Sequence, residues 1–151
     1  MNGWTVFITV LSGTCVFVSG QIVLQFVIVP VQDFLKTIAA ICHARVEHAQ
    51  VTANPGVLSE DRMNETSQHL RRLSAQLHSH LFLVRPYVLV SRLFTLPSRN
   101  QVLQASRSLI RLSNSVFSAH EKIYQSNASS WENICDTLGI YIEQDDRWPK
   151  E

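Results

Sequence analysis

The chain carries 151 residues, with thirteen basic against twelve acidic side chains and three cysteines. That length holds one compact domain rather than two, and the near-neutral charge gives no overall attraction to nucleic acid. Cys15, Cys42 and Cys135 are odd in number and too scattered for a disulfide framework or a paired-cysteine zinc site, which leaves reduced thiols at half-buried positions as the expectation.

Residues 2–32 contain no charged side chain, and Asp33 is the first. Residues 4–31 read WTVFITVLSGTCVFVSGQIVLQFVIVPV. At about 1.5 Å of rise per residue, about 20 apolar residues cross the hydrocarbon core, so residues 1–31 are predicted to form a transmembrane anchor. Trp4 suits one interface, and Gln21 and Gln25, one turn apart, suit the other or a neighbouring helix. A cleaved signal peptide fits less well, because only Met-Asn-Gly precedes the apolar core. Val18-Ser19-Gly20 is a passable cleavage site, yet apolar sequence resumes at once with Ile22, Val23 and Leu24. Ser12, Gly13, Cys15, Ser19 and Gly20 set small residues at near-heptad spacing, a face on which a second anchor or partner helix could approach closely; such residues also occur without partners. Lys36 and Arg45 follow the run while only the α-amine precedes it, so the positive-inside rule places the rest of the chain in the cytoplasm by a margin of two charges.

Beyond the anchor, residues 32–142 are predicted to be a helical bundle domain and residues 143–151 a polar, acidic tail. Only Gly56 and Gly139 of the five glycines lie there, and proline is sparse, which favours helices over a sheet. Pro30 would kink the helix as it leaves the bilayer. Val31, Phe34, Leu35, Ile38, Ile41, Cys42 and Ala49 continue an apolar stripe until Asn54-Pro55-Gly56 stops it. Ser59 is a suitable N-cap, with Glu60 and Asp61 placed where the helix dipole favours acids. Met63, Leu70, Leu73, Leu77, Leu81 and Val84 form the next stripe, interrupted at Pro86 and again at Leu96-Pro97. Ser98 and Gln101 make a capping box opening a helix whose inner face would be Val102, Ala105, Leu109, Leu112, Val116, Ala119 and Ile123. A last short helix is predicted to start at Ser129, with Glu132 as its box partner, and to end at Gly139 after burying Trp131, Ile134, Cys135 and Leu138. The expected fold class is all-α: an N-terminal transmembrane helix followed by a small antiparallel helical bundle.

Gln25-Phe26-Val27-Ile28-Val29-Pro30, Asn54-Pro55-Gly56, Leu70-Arg71-Arg72-Leu73 and Leu109-Ile110-Arg111-Leu112-Ser113-Asn114-Ser115 give the chain its one resemblance. In these segments it resembles small bacterial single-pass membrane proteins with an N-terminal anchor, a group to which no function is assigned. The resemblance implies a bacterial inner membrane as location and carries no chemistry.

No phosphate-binding loop, dinucleotide turn, HExxH, paired CxxC or GxSxG occurs, so nothing compels an enzyme reading and no cofactor is expected. His78 and His80 point to different sides of a helix. His43 and Glu47 are four apart and could co-ligate a metal with a third ligand from another helix, such as His69 or His120, although surface or interhelical histidines are the commoner case and no metal site is expected. Ser118, His120 and Glu121 offer nucleophile, base and orienter only superficially, since adjacent helical residues diverge. Asn64-Glu-Thr66 and Asn127-Ala-Ser129 match the glycosylation pattern, which matters only in a secretory lumen.

Between Arg62 and Lys122 stand nine basic residues against Glu65 and Glu121. Arg71, Arg72, Arg107 and Arg111 are the candidate lipid-facing residues, against the commoner reading of a solvated face. Residues 81–96, LFLVRPYVLVSRLFTL, are too interrupted to cross a bilayer and read either as a buried connector or as an interfacial segment with two arginines reaching phosphates. The functional expectation is a membrane-tethered helical interaction or accessory module, its partners the lipid bilayer and a membrane protein or second copy. Alternatives are an unfamiliar membrane-surface enzyme or effector built on His43, Glu47, His69 and His120, and a sensor of anionic lipid.

Overall fold

The apolar N-terminal run forms the first part of one continuous helix of 45 residues, Gly3–Glu47. The computed structural model describes residues 3–118, 120 and 122–141, and all regular structure among them is helical. The long helix comprises α1 (Gly3–Val23), a π turn (Leu24–Ile28) and α2 (Val29–Glu47). Pro30 does not end it. A proline within a helix cannot donate its ladder bond and presses on the carbonyl four residues back, here that of Phe26. The π turn lies across Phe26, and its widened ladder, with Val29 N–H donating to the Leu24 carbonyl, relieves that conflict.

No residue of α1 is buried, and burial begins abruptly at Val31. Val31, Phe34, Thr37, Ile41 and Ala44 face the core, whereas Leu35, Cys42 and Ala49, placed on the stripe by sequence, are exposed. Cys15 is exposed too and Cys135 is buried, so none of the three thiols is half-buried. The expected single helix to Asn54 is broken at His48, whose φ of −100° and ψ of 13° leave the helical region, and a short α3 (Ala49–Ala53) follows. Gly56 then turns the chain at a φ of 73°, where a side chain would be strained.

α4 (Glu60–Leu83) buries Leu70, Leu73, Leu77 and Leu81 as its periodicity predicts. Residues 84–98, which include a cis Arg85–Pro86 bond, hold a short α5 (Tyr87–Leu93). The Tyr87 hydroxyl donates to the Pro97 carbonyl at 2.6 Å and closes this connector on itself. The capping box opens α6 (Arg99–Ser115): Gln101 N–H donates to Ser98 Oγ, and Ser98 N–H donates to Gln101 Oε1 at 2.7 Å.

Two expectations fail after that. α6 ends at Ser115, not near Ile123, and Ala119 lies outside the described residues. α7 (Ile123–Leu138) starts six residues before Ser129. Its first turns, Tyr124-Gln-Ser-Asn-Ala-Ser129, look like a loop by composition. They become helix because their polar groups find buried partners. Asn127 donates from Nδ2 to the Thr52 carbonyl at 2.9 Å and accepts from Ser115 Oγ at 2.6 Å. Gly139, at a φ of 70°, ends α7 as expected. The tail over residues 143–151 lies outside the described residues.

α2, α4, α6 and α7 pack in sequence as antiparallel neighbours, and α7 returns to α2 and α3. Paired contacts fix the directions: Thr37 with His80 and His48 with His69, Ser74 with Ser106 and Arg71 with Asn114, and Ser108 with Asn133 and Ser115 with Asn127. Phe34, Leu70, Leu77, Leu109, Leu112 and Ile134 are fully buried between them, each worth about 1.5–3 kcal/mol. The bundle therefore has two ends. The one at which α1 leaves carries residues 31–38, 84–98 and 138–140. The other carries the turns at 48–59 and 116–118.

Candidate functional site

Three regions hold the residues to which sequence assigned a role. In α1, a side chain built at Gly13 or Gly20 would meet nothing within 4 Å, so both positions are open on the outside of a lone helix. Ser12 Oγ donates to the Thr9 carbonyl at 3.0 Å. It is thus satisfied within its own helix, and Ser12, Gly13, Ser19 and Gly20 present only small shapes outward.

The four arginines do not share a surface. Arg71 spans α4 to α6, with Nη2 donating to Asn114 Oδ1 at 2.8 Å and Nε to Ser113 Oγ at 3.3 Å. Arg72 lines a cleft on the α2 side of α4. Arg107 and Arg111 line a shallow polar depression with Ser130 and Asn133 of α7. The arginines at the end where α1 leaves the bundle are instead Arg85, Arg92 and Arg99, all exposed, with Lys36 of α2 beside them. Sequence offered Arg85 and Arg92 only through the interfacial reading of residues 81–96 and gave Arg99 no role, because distance from that end appears only once the helices are folded back.

The segment 81–96 is partly buried and partly exposed. Leu81, Val84, Val90 and Leu96 join the core, while Phe82, Leu83, Val88, Leu89 and Leu93 stay exposed. Tyr87 packs edge-on against Phe34 with ring centroids 6.4 Å apart, which sets this apolar outer face beside the point where α1 emerges.

The third region is the most polar. Of His43, Glu47, His69 and His120, the first three gather and His120 does not; it is exposed in the connection before α7. His48 takes its place. Its Nε2 lies 2.7 Å from His69 Nδ1, its Nδ1 lies 3.1 Å from Thr66 Oγ1, and the two rings meet edge-on. Glu47 Oε2 stands 3.5 Å from His43 Nδ1 and 3.6 Å from both His48 Nε2 and His69 Nδ1. Glu47, His48 and His69 thus present three ligand atoms within 4.8 Å of one another, on an open cleft of about 400 Å³ also lined by Glu65, Arg72 and Gln76. Burial holds the His48 imidazole below its ordinary pKa, against an opposing pull from the Glu47 carboxylate.

Sequence reasoning missed His48 because adjacent residues on an unbroken helix point about 100° apart. The backbone leaves the helical path at His48, and its ring lies beside the Glu47 carboxylate. A signal was present: the pairs Thr37–His80 and His48–His69 are centred on the same turn, between Leu58 and Ser59, as an antiparallel hairpin requires. Ser118, His120 and Glu121 form no such cluster among the described residues, Glu121 lying outside them.

Comparison of the chain with protein-family models, with curated proteins and with solved structures finds no match in any of the three.

Proposed function

We propose that the chain is a single-pass protein of a bacterial inner membrane whose four-helix bundle rests on the cytoplasmic leaflet and serves as an interaction or accessory module for a membrane or membrane-proximal partner. The observation that carries this reading is the placement of apolar surface. Every described side chain of α1 is exposed, Trp4, Val16 and Phe17 by 66–73%, and the exposed face of α5 and the end of α4 continues that surface at the same end of the bundle. Water does not tolerate an apolar patch of this extent on a monomer, whereas a bilayer covers it.

The orientation follows from Lys36 and Arg45, with Arg85, Arg92 and Arg99 adding guanidiniums at headgroup level, each worth about 1 kcal/mol at an anionic leaflet. Arg107 and Arg111 stand about 12–18 Å beyond Arg99 along α6 by its rise per residue, farther than a Debye length at physiological salt of about 8 Å. Anionic-lipid contact is therefore assigned to the former three.

The test is a pair of reporters fused after Glu151, one active only in the cytoplasm and one only outside it, combined with alkaline extraction of membranes. Retention in the pellet with cytoplasmic activity is expected. Release into the supernatant would remove the anchor from the account, and external activity would invert the orientation. Mass measurement of the detergent-extracted protein should give a complex or oligomer of fixed stoichiometry; a lone monomer would count against the module.

A further inference from the structure

We propose that Glu47, His48 and His69 bind one divalent transition-metal cation of the zinc type, at the end of the bundle away from the anchor. The geometry suits the ion in three respects. First, Nε2 of His48, Nδ1 of His69 and Oε2 of Glu47 are spaced 2.7, 3.6 and 3.6 Å apart. The point equidistant from three atoms so spaced lies about 1.9 Å from each, against metal–ligand lengths of about 2.0–2.2 Å for zinc with imidazole nitrogen or carboxylate oxygen. The carboxylate oxygen already stands at a tetrahedral spacing, and the two nitrogens open from 2.7 Å to about 3.3 Å as the ion enters between them. Two imidazole nitrogens and one carboxylate oxygen also select the metal, since calcium and magnesium require oxygen donors throughout.

Second, the outer contacts are in place. Metal-bound imidazole donates its other N–H to an acceptor that fixes the tautomer. Thr66 Oγ1, 3.1 Å from His48 Nδ1 and itself buried, is such an acceptor and leaves the Nε2 lone pair for the ion. In the metal-free chain that lone pair accepts from His69 Nδ1–H at 2.7 Å. Binding shifts His69 to its Nε2–H tautomer, the proton passing from Nδ1 to Nε2 through solvent, and the ion takes its place between the two rings. His43 Nδ1, 3.5 Å from Glu47 Oε2, steadies the carboxylate from outside.

Third, the fold holds the ligands on two elements, α2 with its break and α4, and the cleft beside them gives the ion access and leaves a fourth position for water or an external ligand. A site with three protein ligands and an open fourth is the arrangement in which zinc binds exchangeable ligands. None of this depends on the anchor, so the site stands or falls separately from the membrane reading.

The test uses the full chain in detergent, without a polyhistidine tag, stripped with chelator and titrated with zinc ion by competition against a chromophoric chelator. One tight equivalent is expected, together with a rise in thermal midpoint, and cobalt(II) in place of zinc should show the visible bands of a four-coordinate nitrogen–oxygen site. Glu47→Gln and His69→Ala, both at exposed or half-exposed positions, should each weaken binding by at least about tenfold, as should Thr66→Val through the outer contact. His120→Ala should change nothing. Absence of a stoichiometric equivalent, or binding retained in Glu47→Gln and His69→Ala proteins of unchanged helicity, would overturn the proposal. Circular dichroism on each variant separates loss of the site from loss of the fold.

Discussion

His80 shows how a single side chain couples the fold to pH. It is 7% exposed at the contact between α4 and α2. Thr37 Oγ1 donates to the Asp33 carbonyl at 3.1 Å, so it accepts at 2.8 Å from His80 Nε2–H. That assignment makes His80 Nδ1 a bare acceptor, and it is buried with no partner. Burial holds the imidazole below its ordinary pKa, with Asp33 pulling weakly the other way. The unfolded chain titrates this histidine near about 6.5. Between that value and the lower folded one, only the unfolded chain holds the proton, so acid favours unfolding. The contribution is complete above about pH 6.5 and is lost as pH falls toward the folded value. Urea unfolding followed by circular dichroism should show His80→Leu within about 1 kcal/mol of the parent at pH 8, because a bond and an unpaired buried atom are removed together. Its acid slope should be shallower, with His48 supplying the remainder. An unchanged slope would take His80 out of the acid response.

At the scale of elements, the boundaries set by local chemistry are those the sequence predicts, and those set by packing are not. The capping box at Ser98 and Gln101 needs only four consecutive residues, and it forms. Ser98→Ala should cost about 1 kcal/mol of stability, and the double change with Gln101→Ala should cost less than the two separate losses summed, because the two bonds support one turn. Additive losses in a thermal double-mutant cycle would mean the bonds act independently. The start of α7 has no such local marker. Asn127 is only 2% exposed and ties α7 to α3 and α6, so its glycosylation pattern is sealed inside the fold. Asn64 is exposed.

At the scale of the molecule, a long apolar helix at one end and a polar His/Glu cleft at the other give the bundle a direction. The distance between Val31 and Glu47 along α2 is about 24 Å, so a bilayer covering α1 leaves the cleft in water. The seating of α5 is directly testable in vesicles containing lipids with brominated acyl chains. Extra fluorescence in the Val88→Trp protein should be quenched by the bromines, whereas that in Val57→Trp, at the far end, should not. Equal quenching, or none in either, would detach α5 from the bilayer. The same geometry explains why counting arginines along the chain chose Arg71, Arg72, Arg107 and Arg111, while Arg85, Arg92 and Arg99 stand at the end where α1 leaves the bundle.

The run without charge from residue 2 to residue 32, the helical periods, the stops at Asn54-Pro55-Gly56 and Gly139, and the Ser98 box were all decided within a few turns of chain. Hydrophobic length, glycine freedom and capping act over those distances, so the sequence alone determined an all-helical chain with one helix long and apolar enough to span a membrane. The break at His48, the early start of α7 and the apolar outer face of α5 depend on groups 18 to 75 residues away, such as Thr66, His69 and Thr52. Only the folded register brings those partners together. The Glu47–His48–His69 cluster belongs to that second class, because a ligand set is a matter of distances between helices, and no local propensity encodes them.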